Sequence, residues 1–160
     1  MLYQNEVING IYQIIREIGH GGTGIVYLAY HRNLQKQIVL KRIMRGTGNL
    51  EALRRETDIL KNLHHSGLPQ IYDFVVWNGD VFTVMDYIEG TPLNQLIQGV
   101  NMFPEKQLQK WIRELAEVLA YIHGQNPPVI HSDIKPENVI LTPQNRLVLI
   151  DFNISLTESA

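Results

Sequence analysis

The stretch VIHSDIKPENVILTPQNRLVLIDFN, residues 129–153, constrains this 160-residue protein more than any other. Two short apolar runs, Val139–Leu141 and residues 147–150, flank the polar segment 142–146. The runs have strand length and Pro143-Gln144-Asn145 is turn chemistry, so a β-hairpin is expected. A hairpin returns its exit to the side of its entrance. Asp133, Lys135 and Asn138 precede it and Asp151 follows it, so two carboxylates and an amide should converge at one end. Oxygen donors of that kind, with an ammonium among them, suit a divalent metal and a phosphate.

Upstream, IYQIIREI at 11–18 is strand-like and runs into GHGGTG. Gly19, Gly21 and Gly24 make G-x-G-x-x-G, and Gly22 adds a fourth glycine. By itself that pattern fits a dinucleotide fold, a phosphate flap or a ligand-free glycine hairpin. A dinucleotide fold needs a helix to open next, whereas residues 25–30 are β-branched and aromatic. Strand, glycine turn, strand is therefore expected. A third strand spans 37–43 and carries Lys41, with Arg42 facing the other way because strand side chains alternate. Leu50, Leu53, Leu60 and Leu63 repeat at near-helical spacing, giving a helix over about 49–63 with Asn49 as N-cap. Strands at 68–76 and 80–85 flank Asn78-Gly79, a strong hairpin signal. A short helix is expected at 91–98, with Thr91 as N-cap and Pro92 at its first position. A longer helix over about 104–123 carries a wide apolar stripe from Leu108 to Ile122.

HSDIKPEN resembles the catalytic loop of eukaryotic-type Ser/Thr protein kinases, H-R-D-x-K-x-x-N, and DFN resembles their D-F-G motif. The resemblance implies an α+β, protein-kinase-like fold: a five-stranded antiparallel N-lobe sheet with one helix, then the start of a mainly helical C-lobe. Residues 1–90 would be the first lobe and hinge, and 91–160 part of the second. ATP and Mg²⁺ are the implied cofactors, and a protein Ser or Thr hydroxyl is the implied acceptor. Gly19, Gly21, Gly22 and Gly24 would close over the phosphates, with Lys41 on the α- and β-phosphates and Glu56 as its carboxylate partner. Glu51, nearer the helix start, is explained by the helix dipole. Val26, Val39, Met85 and Ile140 would line the adenine site, and the backbone of Asp86 and Ile88 would bond the base edge. Asn138 and Asp151 would hold the metal, Asp133 would take the hydroxyl proton and Lys135 would neutralise the transferred group. His131 and Phe152, with Leu60 and Ile71, would form an apolar column.

The sequence departs from the family pattern at two motif positions. Ser132 stands in place of the arginine that pairs with a phosphorylated activation loop, which argues against that form of switching. Asn153 replaces the glycine after Asp-Phe; asparagine is the non-glycine residue that best tolerates positive φ. The family continues beyond Asp151 with an activation segment and further helices, so a protein ending at Ala160 is expected to be partly uncovered. Self-association, or a partner over the 104–123 helix, follows from that. Serine/threonine kinase activity is thus one expectation. A nucleotide-binding pseudokinase or interaction module is the other.

Composition excludes several classes. A formal net charge of −2 does not suit nucleic acid as the main partner, and there is no cysteine for disulfide or thiol chemistry. No apolar run approaches the roughly 18 residues of a membrane span, and the first residues, MLYQNEVINGIYQ, do not have the form of a signal peptide. A cytoplasmic location is expected.

Overall fold

Asn-Gly pairs at two tight turns set the shape of the first sheet. The computed structural model describes residues 1–160 except 22–23, 44–49, 100–101, 127, 132–133, 151–153 and 157–160, with the backbone alone described at 20–21, 130–131 and 154–156. These residues form two units, 1–62 with 70–87, and 63–69 with 88–160.

The first unit is an antiparallel sheet of β1 (Val7–Ile8), β2 (Tyr12–Gly21), β3 (Gly24–His31), β4 (Lys36–Arg42), β5 (Ile71–Trp77) and β6 (Asp80–Asp86), in the order β1-β2-β3-β4-β6-β5. Helix α1 (Leu50–Lys61) packs against β5. The sheet has six strands where five were expected, and the reason is local. Asn9 and Gly10 both take positive φ, 52° and 69°, which folds Val7–Ile8 back onto β2 with Ile8 opposite Tyr12. Asn and Gly reach that region most cheaply. The same chemistry turns β5 into β6, with Asn78 at φ 48° and Gly79 at φ 81° between the paired Trp77 and Asp80.

One face of this sheet is the core. Ile14, Ile25, Tyr27, Ala29, Ile38, Leu40, Val75, Phe82 and Val84 form its buried cluster, with Ile8 and Tyr12 at the β1 end. The phenol of Tyr12 donates to Asp73 at 3.2 Å, and burial is the main cause that pushes its pKa up to about 12. His31, assigned no function from sequence, accepts the Leu34 N–H on Nδ1 at 3.1 Å and so closes the turn after β3.

The second unit contains β7 (Thr91–Pro92), α2 (Leu93–Gln98), α3 (Glu105–His123), β8 (Val129–His131), β9 (Val139–Leu141), β10 (Leu147–Leu149) and β11 (Ile154–Leu156). β9 pairs with β10 on one side and β7 on the other, and β8 pairs with β11. Thr91 and Pro92 were expected to open a helix. They are instead a strand on β9, and the N-cap is Pro92 rather than Thr91. Proline is tolerated at such a sheet edge because it removes only one ladder donor. Gly90, just before, lies at φ 154°, and a Cβ there would sit 2.3 Å from the Leu141 carbonyl oxygen and 2.6 Å from Ile140 Cγ2. Only glycine permits that approach.

α3 follows its apolar stripe in part. Trp111, Val118 and Ile122 are buried, and Trp111 packs edge-on to Phe103 at 5.0 Å between ring centroids. Leu108 and Ile112 are exposed, Ile112 at 68%. The polar face of the helix grips the β9–β10 hairpin. Glu114 Oε2 accepts the Leu147 N–H at 3.0 Å, Gln107 donates to Asn145 Oδ1 at 3.2 Å, and the Lys110 ammonium bonds the Asn145 carbonyl. Residues 63–69 join this unit because Leu149 N–H donates to Gly67 C=O at 2.8 Å and His64 N–H donates to the Tyr121 hydroxyl at 2.9 Å.

Candidate functional site

In the first unit, strand register decides which side chains share the face opposite the core. Lys41 lies opposite Val26 on β3 and Thr83 on β6, while Val39 lies opposite Leu28 and Met85. Directly opposed residues point the same way, and the period of two places their neighbours Tyr27, Leu40 and Val84 in the core. The second face therefore carries Val26, Leu28, Val39, Lys41, Thr83 and Met85. Val39 and Met85 are buried, and Val26 and Lys41 half-buried. An apolar floor with one ammonium at its end suits a flat heterocycle that carries anionic groups.

The glycine turn abuts that floor. Gly19 pairs with Val26, and Gly21 with Gly24 across the end of the β2–β3 hairpin. Gly22 lies outside the described residues. Asp86 closes β6, and Ile88 is half-buried at the start of the second unit.

Glu56 is half-buried on α1, and burial raises its carboxyl pKa above the ordinary range. Ion pairs among the first unit's described residues include Lys36–Asp86, Arg42–Asp80, Lys61–Asp58 and Lys61–Asp73. A Lys41–Glu56 pair is not among them. Leu60 and Ile71 are both buried; the side chain of His131 and the whole of Phe152 lie outside the described residues, as do Ser132 and Asn153.

In the second unit, Asn138 ends a 3-10 turn, Pro136–Asn138, and is buried. Its N–H donates to Lys135 C=O at 2.9 Å, and its own C=O accepts the Ile150 N–H at 2.8 Å. The residue before position 151 is therefore bonded to Asn138, which is the closure the hairpin chemistry implies. β8, which precedes Asp133, pairs with β11, which follows Asp151, with His131 opposite Ile154. Asp133 and Asp151 themselves lie outside the described residues. Lys135 is exposed, and Ile140 is buried against Gly90. The Asn138 amide oxygen and the Asp151 carboxylate are hard donors of the type Mg²⁺ takes, so the residue chemistry fits that ion.

Two contributors went unread in the sequence. The side chain of Asp86 bonds Lys36, Gln70 and Tyr72, although only the backbone of Asp86 was assigned a part. Gly90 admits Ile140 to its place; a lone glycine in the linker MDYIEG was the available signal.

The family model for the protein kinase domain matches residues 12–159. The protein is 34% identical over 155 residues to serine/threonine-protein kinase cds1 of Schizosaccharomyces pombe, a match that covers 92% of this sequence and 33% of that protein. It is 33% identical over 149 residues to Aurora kinase A-A of Xenopus laevis, covering 91% of this sequence and 36% of the relative. A probable myosin light chain kinase of Dictyostelium discoideum is 30% identical over 148 residues, with 91% and 47% covered. The 160 residues thus span a third to a half of the length of these curated relatives.

Proposed function

We propose, on the footing that this protein belongs to the protein kinase domain family, that it binds Mg-ATP and passes the γ-phosphoryl group to a Ser or Thr hydroxyl of a protein. The observation that carries this reading is Lys41 at the end of the apolar face made by Val26, Val39 and Met85. In the proposed reaction the acceptor oxygen forms a bond to the γ-phosphorus as the bond to the β–γ bridging oxygen breaks, and ADP leaves. Asp133 takes the hydroxyl proton. Lys41 and Lys135 offset charge on the phosphates, and the glycine turn supplies backbone N–H groups to them. Asn138 and Asp151 would hold Mg²⁺, which when bound would supply charge neutralisation on the triphosphate. Most of the catalysis is positioning, which is why so few side chains carry it. A cytoplasmic location, where ATP is abundant, is part of the same proposal.

A titration of thermal stability with Mg-ATP tests the binding step, with Lys41→Met expected to weaken the shift by tenfold or more in apparent affinity. Transfer of labelled γ-phosphate to a generic protein substrate tests the chemistry. Asp133→Asn is expected to lower the rate by about 10² to 10⁴ while leaving ATP binding intact. Binding without any transfer would instead support the interaction module, the reading that Ser132 and Asn153 favour. The exposed Leu108 and Ile112 of α3 support a further part of the proposal, association with a partner or a second copy. A monomer at all concentrations in light scattering, with no change on Ile112→Ser, would remove that part.

A further inference from the structure

Side chains clasp the two edges of the first sheet to each other. β1 and β5 lie at opposite ends of the strand order. Yet the indole N–H of Trp77, on β5, donates to Glu6 Oε1 at 3.4 Å, just before β1. The Tyr12 hydroxyl at the start of β2 donates to Asp73 Oδ2 of β5 at 3.2 Å. Ile8 and Tyr12 also share one buried cluster with Val75 of β5. A sheet whose two edges meet in this way has curled onto its core face, which the twist of its strands allows.

Residues 1–11 precede the residues that the family model matches, 12–159. They are held along their length. Leu2 N–H donates to the Tyr27 hydroxyl at 3.2 Å, Asn5 N–H to Ile14 C=O at 2.8 Å, and Ile14 N–H returns to Glu6 C=O at 2.9 Å. Glu6 Oε2 accepts the Tyr3 N–H at 2.9 Å, which orients the carboxylate so that Oε1 meets Trp77. Ile8 is fully buried. These contacts end close to the ligand-facing residues. Tyr27 is the neighbour of Val26, which lies opposite Lys41. Asp73, bonded to Tyr12, also lies 3.8 Å from the Lys61 ammonium at the end of α1.

We propose that residues 1–11 are a strap that keeps the curled sheet closed, fastened by Glu6 on Trp77 and by Tyr12 on Asp73, and that these are positioning residues for the face that bears Val26, Val39, Lys41 and Met85. The proposal rests on the nucleotide reading above. β2, β3, β4 and β6 form one continuous ladder, so releasing the clasp lets the sheet uncurl and changes the spacing of side chains on both faces. Nucleotide binds the closed sheet, and its apparent affinity falls in proportion to the fraction that stays closed. Two hydrogen bonds to carboxylates are enough to shift that fraction by about tenfold. The coupling runs both ways: bound nucleotide favours the closed sheet and so protects the clasped edges.

The test measures Mg-ATP affinity by calorimetry and amide exchange at Val7–Ile8 and Ile71–Trp77, in the whole 160-residue protein. In the wild type, saturating Mg-ATP is expected to slow exchange at both edges. Glu6→Ala combined with Tyr12→Phe is expected to weaken Mg-ATP binding by about three- to tenfold and to speed exchange at both edges. Trp77→Phe keeps a ring, removes only the indole N–H, and is expected to weaken binding by about two- to threefold. A merely structural strap would lower the melting temperature of the double variant and leave the affinity of its folded form unchanged. That result overturns the proposal, as does edge exchange in the wild type that is indifferent to bound nucleotide. If the double variant does not fold, an unchanged affinity in Trp77→Phe overturns it. A wild type that binds no Mg-ATP defeats the nucleotide reading itself, and the proposal with it, before any substitution is made.

Discussion

The two units use opposite devices to hold a site. In the first, the sheet separates the tasks by face: Phe82, Leu40 and Tyr27 form a dry core on one side, and Val26, Val39, Lys41 and Met85 line the other. In the second, the β9–β10 hairpin is only three residues long on each strand, and polar side chains of α3 hold it in place. A sheet with a full core on one face can commit its second face, where Val39 and Met85 lie buried beside Lys41, to other contacts. The short hairpin buries Val139, Ile140, Leu147, Val148 and Leu149 as well, and polar contacts from a neighbouring helix fix its turn and its strand end.

This contrast can be broken by experiment. Phe82 is 1% exposed, so Phe82→Ala is expected to cost about 3–5 kcal/mol in denaturant unfolding. Ile112→Ser on α3 is expected to stay within about 0.5 kcal/mol, since that side chain is exposed. Equal costs would mean that Ile112 is covered in solution, by a partner or a second copy. Glu114→Ala leaves the Leu147 N–H without its acceptor and is expected to cost about 1–3 kcal/mol, with amide exchange accelerated in the hairpin rather than in the first sheet. Protection unchanged at β9 and β10 would show that the hairpin holds itself.

The smallest effect lies in Glu56. Burial raises its folded pKa, so its folded form holds the proton more tightly than the unfolded state does. Stability is then full below the ordinary carboxylate pKa and is lost as pH rises through the raised value. Glu56→Gln is accordingly expected to melt higher than wild type at neutral pH, with the two converging under acid conditions. A gap that persists at low pH would point to packing and not to charge.

Much of the frame was legible from local chemistry. The β5–β6 turn followed from Asn78-Gly79, and the β9–β10 hairpin from its turn residues and flanking apolar runs, because such turns depend on a few adjacent φ values. The extra strand β1 was equally local and was overlooked in Asn9-Gly10. Thr91-Pro92 misled for a different reason: the pair suits a helix start, but β9 offered an edge to which it could bond. The Glu114 bond to Leu147 and the Asp86 bond to Gln70 had no sequence signal at all.

Sequence by itself determined the catalytic-loop pattern, the glycine turn, the strand that bears Lys41 and the family to which they belong, since each is written in neighbouring residues. The tertiary structure alone decided which side chains meet across the strands. That choice turns on residues far apart in sequence, such as Lys36, Tyr72 and Asp86, and a hydrogen bond between them exists only once the strands have been laid side by side.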